Sequence, residues 1–211
     1  LQKFLFTKIG IKMIKYNTLF ISLIVLLLGC QEPSSNSKLT QEEVKELNEM
    51  SIYHLPSNWN TQDSEQISFN DLKGHPLVVV MIYTSCQTAC PRLVADMRFI
   101  AEKVASKPKN KPKYVLVSID PLNDSPEKLK EFAKENNMEG DQWLFLQGTE
   151  DGVRDFANIL SVKYKKINPM DFSHSNIISV FDKEGVLQYQ KEGLGLENDE
   201  IINQILKISE I

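Results

Sequence analysis

The feature that most constrains this chain is the run Leu77-Val78-Val79-Val80-Met81-Ile82-Tyr83, seven apolar residues in succession. A strand with one wet face alternates apolar and polar side chains, so an unbroken run of this length needs cover on both faces. A sheet with layers packed on either side supplies that cover. Hydrophobic residues make up 42% of the 211-residue chain, enough for one such domain with a short appendage.

Neighbouring segments provide the layers. From Ala89 to Ala105, the residues Leu93, Val94, Met97, Ile100, Ala101 and Val104 form one helical stripe, and Pro91 falls in the first turn, where it is tolerated. A Lys/Pro-rich loop then leads to a second buried strand, Tyr114 to Ile119. Asp124-Ser125-Pro126-Glu127 reads as a helix start, with Asp124 or Ser125 as its cap, and that helix should reach about Asn136. A short strand over 143–146, a helix over 150–160, a hairpin pairing 177–181 with 186–190, and an amphipathic helix over 198–208 complete the pattern. Upstream, Ile67 and Phe69 alternate with polar neighbours and suggest another short strand. The order strand, helix, strand, helix, hairpin, helix predicts an α/β domain: a central mixed sheet flanked by helices, as in the thioredoxin-like fold.

The N-terminus reads as a targeting segment. Lys3, Lys8, Lys12 and Lys15 precede the apolar run Leu19 to Leu28, which ends at Gly29-Cys30. That run is short for a membrane span, which takes ~20 apolar residues. Leu27-Leu28-Gly29-Cys30 resembles the bacterial lipobox, which makes Cys30 the acylated first residue of the mature chain. An uncleaved N-terminal anchor is the alternative and leaves the domain on the same side of the membrane. Met13 is a more natural start than Leu1, which would leave residues 1–12 untranslated. The expected organisation is a signal over 1–29, a lipidated tether with a short helix over 30–58, and the folded domain over 59–211. The expected location is the bacterial cell envelope, on the periplasmic side.

Charge narrows the partners. The formal net charge is −4; removal of residues 1–29 takes away four lysines and no acid, giving −8. Nucleic acid does not suit such a surface. Such a surface does not favour an anionic bilayer, so attachment would rest on the acyl chains.

Of three cysteines, Cys30 is assigned to lipid, which leaves Cys86 and Cys90. Outside the cytoplasm a close pair forms a disulfide or holds a soft metal. The pair lies where the buried strand hands over to a helix N-terminus, whose N–H groups and dipole favour a thiolate. Residues four apart share a helix face, so both sulfurs should converge as a soft donor pair suited to Cu(I). The dithiol oxidoreductases of this fold typically use Cys-x-x-Cys, whereas Gln87-Thr88-Ala89 intervene here. By itself the pair also fits a plain structural disulfide. Of the three histidines, His54 and His75 read as surface residues, while His174 precedes the hairpin strand. In a thioredoxin-like fold that loop faces the tip of the helix carrying the cysteines. Asp120 ends the second strand on the same edge, where it could orient a ligand or meet a partner.

Three stretches carry a family resemblance: Tyr83-Thr84-Ser85-Cys86-Gln87-Thr88-Ala89-Cys90-Pro91, Val117 through Glu127, and Ser173-His174-Ser175. In order and spacing they resemble the signatures of the Sco/SenC family, and the similarity runs from about Trp59 to the C-terminus. The resemblance implies a membrane-tethered copper protein with Cys86 and Cys90 as thiolate ligands and His174 as imidazole ligand. The bound metal would be Cu(I), Cu(II) or both. It further implies a role in assembling the binuclear copper centre of cytochrome c oxidase, by donating copper, by reducing the centre's cysteines, or both. Gln87, Ser173 and Asn123 depart from the residues common in the family, where Pro, Asp and Arg stand. These departures touch no ligand but leave redox potential and partner choice open. Two rival readings are a periplasmic thiol–disulfide reductase, with Cys86 attacking and Cys90 resolving, and a copper or redox sensor. Nitrous-oxide reductase is an alternative client.

Overall fold

The structure is a computed structural model that describes residues 50–169, 171–195 and 198–210. The expected signal, the acylated Cys30 and the helix within the tether lie outside the described residues. Among the described residues there are nine strands: β1 Asn58–Thr61, β2 Gln66–Ser68, β3 Leu77–Ile82, β4 Lys113–Ser118, β5 Trp143–Gln147, β6 Tyr164–Asn168, β7 Asp171–His174, β8 Ile177–Phe181 and β9 Leu187–Glu192. Four α-helices accompany them: α1 Cys90–Val104, α2 Pro126–Glu135, α3 Glu150–Ile159 and α4 Asp199–Ser209. Two 3-10 turns cover Ile52–His54 and Phe69–Leu72, so Phe69 leaves the expected strand and anchors a turn.

Seven strands form one sheet in the order β2-β1-β5-β4-β3-β8-β9. β3, β4 and β5 run parallel, and the outer strands are antiparallel to their neighbours. Every residue of β3 is buried, as an unbroken apolar run on a two-sided strand requires. The predicted stripe of α1 is buried in full, and α1 packs beside α4, whose Ile201, Ile202, Ile205 and Ile208 also face the core. Each of these branched side chains contributes about 1.5–3 kcal/mol by leaving water. Trp59, Phe69 and Phe156 close one end of the core, their ring centroids 4.8–5.7 Å apart.

The register fixes where chemistry can sit. β3 and β4 pair from Leu77↔Lys113 to Ile82↔Ser118, and β8 runs the other way, with Phe181 opposite Leu77. The chain that enters β8 at Ile177 therefore arrives beside the C-terminal ends of β3 and β4. That is the edge where Cys86 follows β3 and Asp120 follows β4.

Three strands, β1, β6 and β7, were not expected from the sequence. β1 extends the sheet beyond β5 through alternating exposed and buried residues. β6 and β7 form a separate two-stranded ribbon, so His174 ends a strand rather than sitting in a loop. Of the two candidate caps for α2, the structure uses Ser125. Ser125, with extended backbone, accepts the Lys128 amide at 3.4 Å and caps the helix, and Asp124 is released for another task.

Candidate metal centre

The chain leaves β3 through Tyr83 and turns at once, with the Cys86 amide donating to the Tyr83 carbonyl at 3.3 Å. Helix α1 starts at Cys90, and its N-cap residue Ala89 has no side chain able to accept an amide. The Cys86 sulfur does so instead, 3.3 Å from the Cys90 nitrogen. The two sulfurs thus converge for a reason other than the expected one. They do not share a helix face, because Cys86 lies in the preceding loop and caps the helix that Cys90 begins.

The turn is braced from β4. Asp124 is 1% exposed and accepts from the Thr84 amide at 3.1 Å, the Thr84 hydroxyl at 2.5 Å and the Ser118 hydroxyl at 2.6 Å. Burial pushes its carboxyl above the usual range, and nearby Asp120 adds to the rise; the hydroxyl and amide donors oppose it. Asp124 therefore ties the end of β4 to Thr84, two residues before the first cysteine.

The β6–β7 ribbon brings the histidine. Tyr164 pairs with His174 and Lys166 with Phe172. Tyr83 joins this ribbon to the cysteine turn: its hydroxyl lies 2.6 Å from Asp171 Oδ1, and its ring meets those of Phe172 and His174 at 5.2 and 5.8 Å. The Phe172 amide donates to the same hydroxyl at 3.4 Å. His174 Nδ1 faces the Ser175 carbonyl at 3.1 Å. Only a protonated nitrogen can bond to a carbonyl, so the proton is on Nδ1 and Nε2 is the unprotonated, accepting nitrogen. Nε2 lies 3.8 Å from Cys90 Sγ. Burial holds the imidazole below its ordinary pKa, against the opposing pull of the Ser175 carbonyl, so the neutral ring prevails.

Cys86, Cys90 and His174 each offer one ligand atom, and these three atoms lie within 4.8 Å of one another. Donors bound to one ion at about 2.0–2.3 Å lie about 3.3–4.6 Å apart, so small side-chain movements would close the set on a single ion. Two sulfurs and a neutral imidazole suit a soft metal such as Cu(I).

The two thiols are unlike. Burial works to raise the Cys86 pKa, but hydrogen bonds from the Cys90 amide, the Tyr83 hydroxyl, the Thr88 amide and the Cys90 thiol outweigh it and bring it below the ordinary value. Cys90 is fully buried, and desolvation drives its pKa far up. The helix terminus was expected to favour a thiolate at the pair as a whole; it does so at Cys86 alone.

The remaining candidates lie apart from these three donors. His54 is exposed, and His75 Nδ1 lies 3.4 Å from the Lys111 carbonyl. Asp120 is 2% exposed; its carboxylate accepts from Asn123 at 2.8 Å and lies 3.7 Å from Lys166 Nζ. It lines a groove of about 540 Å³ with Leu122, Arg154, Tyr164, Lys166 and Phe172. Sequence reasoning missed Tyr83 and Asp124 as organisers of the site. The one signal for Tyr83 was a hydroxyl at the end of an otherwise apolar strand.

Comparison with known proteins bears on the same residues. A sequence model of the SCO1/SenC family matches residues 51–210, which include all three donors and the braces around them. The chain belongs to the SCO1/SenC family. It is similar to the SCO1 protein homolog of Bacillus subtilis (strain 168), 28% identical over 160 residues that cover 73% of this chain and 81% of the relative. Among solved structures it is similar to BsSco, described as a member of the Sco family of cytochrome c oxidase assembly proteins with a disulfide switch. The TM-score is 0.65 at 26% identity, over 75% of this chain and 94% of that one. Yeast Sco1 with copper bound shares the fold, with a TM-score of 0.62 at 20% identity over 74% and 87% of the two chains. The SCO1/SenC match begins at residue 51, and Ile52 and Tyr53 already belong to the core.

Proposed function

We propose that this chain holds copper between Cys86, Cys90 and His174 and serves the assembly of the binuclear copper centre of cytochrome c oxidase, tethered in the cell envelope through Cys30. The observation that carries the reading is the convergence of two sulfurs and one neutral imidazole nitrogen within 4.8 Å. Membership in the SCO1/SenC family supports it, as does similarity to BsSco, a member of the Sco family of cytochrome c oxidase assembly proteins, and to yeast Sco1, whose structure has copper bound. The lipobox-like Leu27-Leu28-Gly29-Cys30 supports the tether. Among the described residues no helix is long and apolar enough to cross a membrane.

Copper is cargo here, and the protein's task is to hold it and let it go. Cys86 supplies a thiolate readily, while Cys90 must lose its proton as the metal arrives, so uptake releases protons. His174 is already neutral, with Nε2 unprotonated and facing the Cys90 sulfur. Three protein donors leave room for an acceptor's thiolate to enter and displace them stepwise. Joining Cys86 and Cys90 in a disulfide would remove both sulfurs, so oxidation would switch binding off.

The unequal thiols favour a second role for the same pair, reduction of the acceptor's own disulfide. Cys86 thiolate would attack one acceptor sulfur, forming a mixed disulfide and releasing the other sulfur as a thiolate. Cys90, losing its proton, would then attack Cys86, leaving a Cys86–Cys90 disulfide and an acceptor dithiol ready for metal. Two electrons pass from this chain to the acceptor.

Substitution separates the roles. Cys86→Ser or Cys90→Ser should nearly abolish copper binding, and His174→Ala should weaken it and change the Cu(II) absorption spectrum. Stoichiometric copper on Cys90→Ser would sink the metal assignment. Turnover of a mixed disulfide without copper, unchanged in His174→Ala, would make the reductase the main activity.

A further inference from the structure

The metal centre occupies one pole of the domain, and the other pole carries an unusual charge. The loop after α1 reads Lys107-Pro108-Lys109-Asn110-Lys111-Pro112-Lys113, four lysines in seven residues with no acid, in a chain of net charge −4. Lys107, Lys109 and Lys111 are exposed. The loop is pinned rather than trailing: the Asn110 side chain donates to the Gly74 carbonyl at 2.8 Å, the Asn110 amide to the Ser209 carbonyl at 3.2 Å, and the Lys113 amide to the Pro76 carbonyl at 2.9 Å. These contacts set it beside the N-terminal end of β3, with Lys113 opposite Leu77. Cys86 follows the other end of that strand, about 20 Å away for six residues at about 3.3 Å each.

The chain enters the described domain at this same basic pole. The Ser51 hydroxyl donates to the Glu184 carbonyl at 2.6 Å and the Ile52 amide to the Gly185 carbonyl at 2.9 Å. The adjacent Lys183 carbonyl accepts from the Gly74 amide at 2.9 Å, and Lys73 pairs with Glu184 at 3.8 Å. Asp182 and Glu184 match the charge of Lys73 and Lys183 here, so the basic excess of this pole lies in the Lys107–Lys113 loop. The Lys113 ammonium donates to the Asp141 carbonyl at 2.7 Å, and the loop itself carries no acid. Ser51 and Ile52, near the start of the described residues, therefore lie at the pole that carries the lysines.

We propose that the Lys107–Lys113 loop docks on anionic phospholipid headgroups, holding Cys86, Cys90 and His174 on the side of the domain facing away from the bilayer. The proposal rests on the reading of the N-terminal segment as a membrane attachment. Attachment keeps the domain near the surface without deciding which pole faces it, and a cluster of lysines on one pole decides that. One anchor plus a polybasic patch is a stable combination, because tethering raises the local lipid concentration that weak charge attraction needs. The net charge of −8 after cleavage argued against such attraction; the distribution of charge reverses that argument at this pole.

Amine acetylation tests it on the full membrane-attached chain. The protein is reconstituted into vesicles of phosphatidylcholine alone or with phosphatidylglycerol, treated briefly with an acetylating reagent, and read lysine by lysine by mass spectrometry. Lys107, Lys109 and Lys111 should react several-fold more slowly in the anionic vesicles than in the neutral ones. Lys130 and Lys166 should react equally in both, and high salt should erase the protection. Equal reactivity of the three loop lysines in both vesicles would overturn the proposal, as would protection confined to Lys163, Lys165 and Lys166 at the metal pole. The N-terminal peptide mass reports acylation separately. An unacylated chain held by an uncleaved segment would refute the Cys30 lipid and still give the same comparison of poles.

Discussion

Cys86 and Cys90 stand four residues apart, yet their environments give them opposite chemistry. Cys86 caps a helix and receives amide and hydroxyl donors, whereas Cys90 is sealed in the core. Alkylation with iodoacetamide, followed by mass spectrometry across pH, should show Cys86 reacting below the ordinary thiol range and Cys90 resisting well above it. Equal pH profiles for the two would contradict the asymmetry. Tyr83 is the residue most able to change this balance. Its one hydroxyl proton is shared between the Asp171 carboxylate at 2.6 Å and the Cys86 sulfur. Tyr83→Phe should cost about 1–2 kcal/mol in urea denaturation and move the Cys86 alkylation profile to higher pH. A profile identical to wild type would remove the hydroxyl from the account. The Cys-x₃-Cys spacing was legible in the sequence; the difference between the thiols was not, because it arises from Tyr83 and from burial, neither of which spacing encodes.

At the level of elements, the site hangs on a strand, a helix and a ribbon that were legible to different degrees. β3 and α1 announced themselves through an unbroken apolar run and a helical stripe, which depend only on local sequence. The β6–β7 ribbon did not. Four of the five β6 residues, Lys165 through Asn168, are exposed, so the segment has no apolar face to mark it as a strand. The choice between Asp124 and Ser125 as the cap of α2 was not legible for a related reason. Asp124 and Ser125 both suit a helix cap locally, and only the approach of Thr84 and Ser118 in space decides which one caps. Leu93→Ala in α1 should lower stability by about 2–5 kcal/mol through a core cavity, with the copper stoichiometry of the folded fraction unchanged. Asp124→Ala should cost about 1–3 kcal/mol by orphaning three donors, and it should also weaken copper binding by loosening Thr84. Unaltered affinity in folded Asp124→Ala would reduce that brace to a purely structural one.

Across the whole molecule, the decisive fact is that β8 runs antiparallel to β3. The chain entering β8 must therefore pass the end of β3 that leads to the cysteines, which closes the 84-residue gap between Cys90 and His174. The α/β order and the three signature stretches made that fold and family legible from sequence, and the SCO1/SenC match over 51–210 agrees. The convergence of the donors needed the topology as well. So did the separation of a metal pole from a lysine-rich pole, since a net charge carries no information about where the charges sit. The central claim is that Cys86, Cys90 and His174 form one copper site. Anaerobic Cu(I) titration of the reduced protein, with X-ray absorption on the loaded form, tests it most directly. One copper per chain with two sulfur ligands and one imidazole nitrogen is the expected result. A reduced protein that binds no copper, or copper bound without the imidazole, would contradict it.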